Sequence, residues 1–262
     1  MAVPAENALR VLVLGGTTEA GEMLQLLVAD GRFAPTLSLA GRTANPVLPD
    51  LPCRVGGFGG IEGLRTYLRE DATDLVVDAT HPFAHRISAN AAEACAAEGV
   101  ARVAIDRPCW QAGPGDRWLH AADMEDAVRR LKAMPPSRVF LTVGRLELDA
   151  FAGAPAHDYL YRVIDPLRVP PPLLRQAAIV GRGPFDEAAE RDLMACEGIS
   201  LLVTKNSGAR ATAAKLRAAR ALGVPVLMVG RPPAPPPPAF PDARGAMGWI
   251  AAHAMSRQKR GV

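Results

Sequence analysis

Lysine is scarce in this chain of 262 residues, with one each at 132, 205, 215 and 259, whereas arginine is plentiful. A GC-rich coding sequence explains that bias, and it also leaves the chain rich in the better bidentate partner for carboxylates and phosphates. Cysteine is equally sparse. Cys53, Cys95, Cys109 and Cys196 are scattered and form no C-x-x-C pair, which argues against a disulfide framework or structural zinc and suits a reducing cytoplasm. No apolar run approaches the roughly 18–20 residues of a membrane span. Residues 1–10 carry Glu6 and no apolar core, so a secretory signal is not expected. A net charge of +3 is too small to point to nucleic acid. Several catalytic patterns are missing too. Tyr67, Tyr159 and Tyr161 are followed four residues on by Asp71, Val163 and Asp165, so there is no Tyr-x-x-x-Lys dyad. There is also no G-x-S-x-G elbow and no G-x-x-x-x-G-K-[ST] loop.

What the chain does contain is alternation. The apolar run Val11–Leu14 enters Gly15-Gly16-Thr17-Thr18-Glu19-Ala20, and a helix-compatible stretch follows to Val28. Further strands are expected at 35–40, 53–55, 74–79 and 101–105, with helices at 61–69 and 82–98. Thr80 is placed to cap the second of these. After Pro135-Pro136 a second series begins, with strands at 138–143, 159–164, 177–180, 199–204 and 224–229 and helices at about 185–196 and 209–222. Apolar strands alternating with helices indicate a parallel sheet covered on both faces. The expected fold class is α/β, with two Rossmann-like (flavodoxin-like) domains of parallel strands, 1–135 and 136–262, and an active site in the cleft between them. A single sheet of about ten strands is the rarer alternative. The proline-rich 231–242 segment reads as a stiff surface connector in polyproline form, and 243–255 as a closing helix.

In an open parallel sheet, ligands bind beyond the carboxyl ends of the strands. The first such end is a strand–turn–helix start, whose free amides and dipole favour phosphate. It departs from G-x-G-x-x-G, having Gly15, Thr17 and Ala20. Arg42 follows the second strand, where an acidic residue would select NAD, and an arginine there suits a 2′-phosphate. A surface arginine is the plainer reading. Gly56-Gly57-Phe58-Gly59-Gly60 either admits a ligand to the backbone or is merely flexible. His81, in Asp78-Ala79-Thr80-His81-Pro82-Phe83, is either structural or a proton carrier. In the second half, Thr142-Val143-Gly144-Arg145, Arg182-Gly183-Pro184-Phe185 and Thr204-Lys205-Asn206-Ser207-Gly208 occupy the corresponding places.

Taken in order and spacing over residues 10–231, these loops, with Gly63-Leu64 and Arg107-Pro108 with Trp110, resemble the precorrin-6A reductase (CobK/CbiJ) family of cobalamin biosynthesis. The resemblance implies NADPH-dependent reduction of one double bond of precorrin-6A to give precorrin-6B. Gly15, Gly16, Thr17, Thr18 and Glu19 would then hold the pyrophosphate and nearby ribose, with Thr17 adding a hydroxyl to the amides, and Arg42 the 2′-phosphate. Gly57 joins the cofactor set, Thr80 would lie near the nicotinamide ribose, and Lys205, Asn206 and Ser207 would close on cofactor or substrate. His81 is the candidate catalytic proton donor, and no metal is implied. The expected partner is a polycarboxylate tetrapyrrole, handed on to neighbouring pathway enzymes. The alternatives are a non-catalytic NADP-binding regulator or a reductase of cobalt-precorrin-6A.

Overall fold

The computed structural model describes residues 7–41 and 48–260, the last four by backbone alone. It contains two six-stranded sheets, each parallel throughout. The first takes β1 (Leu9–Leu14), β2 (Phe33–Leu39), β3 (Cys53–Val55), β4 (Leu75–Asp78) and β5 (Ala101–Ile105). Its helices are α1 (Thr18–Ala29), α2 (Ile61–Glu70) and α3 (His85–Glu98). The second takes β6 (Trp118–Ala121), β7 (Arg138–Thr142), β8 (Asp158–Val163), β9 (Gln176–Val180), β10 (Leu201–Lys205) and β11 (Val226–Val229). Here the helices are α4 (Met124–Lys132), α5 (Glu187–Cys196) and α6 (Ala214–Ala221). The chain closes with β12 (Ala239–Phe240) and α7 (Ala243–Arg260).

The apolar run of β1 is continuous because both of its faces are buried. Val11 and Val13 pack toward α1 and α7, with Met23, Leu27, Ala246 and Ile250. Leu12 and Leu14 pack on the other face with Leu64 and Leu68 of α2 and Ala91 and Cys95 of α3. Each such side chain contributes roughly 1.5–3 kcal/mol when taken fully out of water. The central strand of the first sheet is thereby fixed, and its end at Gly15 is aimed at the helix start of α1.

The strand orders are β12-β5-β4-β1-β2-β3 and β6-β11-β10-β7-β8-β9. Each therefore has a switch point between its two central strands, β4 and β1 in the first and β10 and β7 in the second. Compact unit 1 is residues 1–108 with 233–262, and unit 2 is 109–232. This differs from a division at residue 135. β6 pairs with β11 through Trp118↔Val226 and so lies in the second sheet, while β12 pairs with β5 through Ala239↔Ala104 in the first. The proline-rich segment is likewise more than a connector. Two of its residues form β12, and the buried Arg102 donates from Nη2 to Pro236 O. β6 and α4 were not expected at all.

Candidate active site

At the carboxyl end of β1, Gly15 is set by packing. A Cβ there would lie 2.5 Å from Leu37 Cδ1 and 3.3 Å from Ala20 Cβ, so a glycine lets α1 lie close against β1 and β2. Gly16 has φ +107°, and a Cβ on it would meet nothing within 4 Å, leaving the backbone open on that side. Thr17 is the N-cap of α1. Its hydroxyl accepts from Ala20 N at 3.1 Å and donates to Ala79 O at 2.7 Å. The proton of that hydroxyl is therefore committed to stitching the β1 turn to the end of β4, and does not point outward as the sequence suggested. A helix leaves its first N–H groups without intrahelical partners. With Ala20 N taken by the cap, Thr18 and Glu19 supply the outward amides. Glu19 is ion-paired with Arg107, which is nearly buried just beyond β5. A carboxylate in the first turn would repel a phosphate, and Arg107 offsets that charge.

At the end of β4, Asp78 is 3% exposed. Its Oδ1 accepts from Thr80 N at 3.2 Å and from Thr80 Oγ1 at 2.8 Å, while Oδ2 is buried with no hydrogen-bond partner among the described residues. Thr80 Oγ1 also lies 3.2 Å from Ser88 Oγ. Thr80 is not the cap of α3. That helix begins at His85 with Ala84 as its N-cap residue, because Thr80 is held by Asp78 and His81–Ala84 form a turn through Ala84 N→His81 O. His81 Nδ1 accepts from Phe83 N at 3.2 Å, so in the neutral ring the proton sits on Nε2. The glycine loop at 56–60 is organised by Arg54, which donates to Ser38 Oγ, Gly56 O and Gly57 O. Its guanidinium lies 3.7 Å from the centre of the Phe58 ring. Gly57 has open space around it. Arg42 lies outside the described residues.

In unit 2, β7 occupies the place that β1 has in unit 1, yet it leads into a 3-10 helix, Arg145–Gly153, with no capping side chain. Glu147 in its first turn pairs with Lys205 at 2.8 Å. That switch point therefore presents an ion pair in place of a capped helix start. Asn206, expected to close on cofactor or substrate, bonds Trp110 through its side chain. Its Oδ1 accepts from Trp110 N at 2.8 Å and its Nδ2 donates to Trp110 O at 3.1 Å. Ser207 is 5% exposed. Behind these loops Arg162 and Glu190 form a buried two-pronged pair, at 3.0 and 2.6 Å. Arg162 stacks against Phe140 and Phe185. Lys215 lies beside them, donating to Thr212 O at 3.0 Å and 5.2 Å from the Trp110 ring centre. Burial lowers its pKa to about 7, with Arg162 pushing the same way and Glu190 opposing.

The structure thus brings Gly15, Gly16, Thr17, Thr18, Glu19 and Thr80 together at one switch point. It groups Lys205, Asn206 and Ser207 at the end of β10, the central strand of the second sheet. Asp78, Arg54, Arg107 and Glu147 had no assigned role from sequence. Arg107 and Asp78 carried a signal, their positions just after and at the end of expected strands. Among the described residues no group of three or more His, Cys, Asp or Glu is placed to hold a metal ion, and no helix is long and apolar enough to cross a membrane.

Comparison with known proteins adds a family. A profile described as precorrin-6x reductase CbiJ/CobK matches residues 10–251. The precorrin-6A reductase of Rhodobacter capsulatus is 47% identical over 244 residues, 93% of this chain and 96% of the relative. The cobalt-precorrin-6A reductase of Salmonella typhimurium is 29% identical over 232 residues, 85% of this chain and 87% of the relative. A solved structure titled CobK precorrin-6A reductase superposes with a TM-score of 0.88 at 46% identity, covering 94% of this chain and 97% of that one.

Proposed function

Because the chain belongs to the precorrin-6x reductase CbiJ/CobK family, we propose that it reduces one double bond of the precorrin-6A macrocycle to give precorrin-6B in corrin-ring synthesis, using NADPH. The observation that carries the substrate is the contrast in identity, 47% to a precorrin-6A reductase and 29% to a cobalt-precorrin-6A reductase. Four free and widely separated cysteines support a reducing cytoplasm as its place.

The residues fit a dinucleotide at unit 1. The open, positive-φ Gly16 lets the backbone approach a pyrophosphate, and the amides of Thr18 and Glu19 at the α1 start face it with the helix dipole behind them. NADPH supplies the hydride. The chain supplies position and electrostatics. Arg42 is assigned to the 2′-phosphate and Gly57 to close backbone contact. Thr80, its O–H directed to Asp78, offers lone pairs near the nicotinamide ribose. Lys205 and Ser207 are assigned to cofactor or substrate, where a lysine suits the acetate and propionate groups of a tetrapyrrole. His81 is the proposed proton donor, acting from its imidazolium form and returning to the neutral ring.

The test is loss of dihydronicotinamide absorbance with NADPH and precorrin-6A, run beside the cobalt-containing analogue. Oxidation with precorrin-6A supports the proposal. Binding of NADPH without oxidation would make the protein a cofactor-binding regulator, and oxidation with the cobalt substrate alone would move it to the cobalt branch.

A further inference from the structure

The chain enters unit 2 at Cys109 and leaves it at Pro232. Both ends of that excursion are tied to one loop, Lys205–Gly208. On the entry side, Asn206 grips the backbone of Trp110 through both polar atoms of its side chain. On the exit side, Arg231 donates from Nε to Asn206 O at 2.7 Å and from Nη2 to Ser207 O at 2.8 Å. The loop is also joined to β11 through Asn206 N→Val229 O. Further along, Lys215 sits under the Trp110 ring and holds Thr212 O. Residues 206–212 are thus tied to Trp110 directly at Asn206 and, through Lys215, at Thr212.

The Asn206 pairing has a strict chemical requirement. It needs one acceptor facing an N–H and one donor facing a C=O, side by side, which a carboxamide provides and a carboxylate does not. The network fixes which way the amide faces. A side chain that spends its oxygen and its nitrogen on one backbone residue has little left for a ligand, whereas its neighbours Lys205 and Ser207 lie on either side of it in the same loop.

We propose that Asn206 is a positioning residue for the reduction: by clamping Trp110, and with Arg231 holding the loop carbonyls from the other side, it sets the conformation in which Lys205 and Ser207 meet the tetrapyrrole substrate and not the cofactor. This rests on the functional reading above. Asn206→Asp keeps size and shape but faces an acceptor toward Trp110 O. It lowers kcat/KM for precorrin-6A by about tenfold to a hundredfold, the scale expected when reacting groups are displaced by about an ångström. NADPH affinity, read by cofactor fluorescence without substrate, stays at the wild-type value. Tryptophan emission shifts, and the shift vanishes when Asn206→Asp is made in a Trp110→Phe background. Arg231→Met gives the same pattern of kinetics. The double variant loses no more than the worse single, because both substitutions release one loop. A tenfold weaker NADPH complex in Asn206→Asp would make Asn206 a cofactor ligand and overturn the proposal. So would fully multiplicative losses in the double variant, or an unchanged emission spectrum. The emission arm needs no turnover, so wild-type protein inactive on precorrin-6A would sink the functional reading while leaving the clamp itself open to test.

Discussion

Lys215 is the least comfortable side chain in the protein, and replacing it with methionine, similar in length and volume, tests why. The residue is 6% exposed, and its ammonium faces Arg162 on β8, Glu190 on α5, the Trp110 ring and Thr212 O. One buried carboxylate is thus shared between two buried cations, and it is already bonded twice to Arg162. Burial therefore lowers the pKa of the lysine from 10.5 to about 7, with Glu190 opposing the shift only in part and Arg162 adding to it. A base with a lowered folded pKa binds fewer protons folded than unfolded between those values, so stability rises with pH across that window. The penalty is full below about pH 7 and disappears above about 10.5. At about 1.4 kcal/mol per pH unit, it amounts to about 4 kcal/mol at pH 7 and about 2 kcal/mol at pH 9. Methionine removes the penalty but forfeits the Thr212 hydrogen bond and leaves the Thr212 carbonyl without that partner, a cost of about 2 kcal/mol. The variant should therefore be more stable than wild type by about 2 kcal/mol near pH 7, and the advantage should vanish near pH 9. Urea unfolding at several pH values, followed by tryptophan emission in a Trp249→Phe background, confines the signal to Trp110 and Trp118 of unit 2. Parallel stability curves for the two proteins, or a methionine variant less stable at neutral pH, would refute the assignment of a strained buried charge.

Four further outcomes are expected. Gly63→Ala would put a Cβ 1.7 Å from Phe58 O, so the glycine loop or α2 must move. The cost is about 3 kcal/mol, seen as a lower urea midpoint for unit 1 by far-UV circular dichroism. Thr17→Val loses the α1 cap and the bond to Ala79 O, costing about 1–2 kcal/mol and weakening NADPH in a fluorescence titration. Arg42→Ala weakens NADPH by at least about tenfold more than NADH; equal losses would remove it from the 2′-phosphate. His81→Ala lowers kcat by about 100-fold in steady-state turnover of precorrin-6A, as expected for loss of a proton donor; near-normal turnover would remove His81 from that role.

Most of the strands were legible because a strand buried on both faces leaves an uninterrupted apolar run, as in Val11–Leu14 and Leu201–Val203. β6 left no such trace. At a sheet edge, Trp118 is only half-buried and Leu119 and His120 are exposed, so their identities are weakly constrained. β12 is two residues inside a proline run, where local propensity speaks for polyproline and pairing with β5 overrides it. The same distinction holds at the site. Gly16 and Thr18 were readable from local grammar, since a strand, a turn and a helix start lie within ten residues. The partnerships of Glu19 with Arg107, of Asp78 with Thr80 and of Asn206 with Trp110 were not. Two of these span 88 and 96 residues, and sequence periodicity carries no information at that range. Asp78 and Thr80 are adjacent enough to guess, but the spare buried oxygen is a property of packing.

The crossed edge strands also set an order of events during synthesis. β6 leaves the ribosome before any strand it pairs with, and must wait for β11, about a hundred residues later, to find its neighbour. The first sheet waits longer still, because β12 and α7, which completes its cover, come from residues 239–260. Unit 1 begins first and finishes last. Until those residues emerge, the nascent chain exposes the edge of β5 and the apolar surface of β5 and α1 that α7 covers.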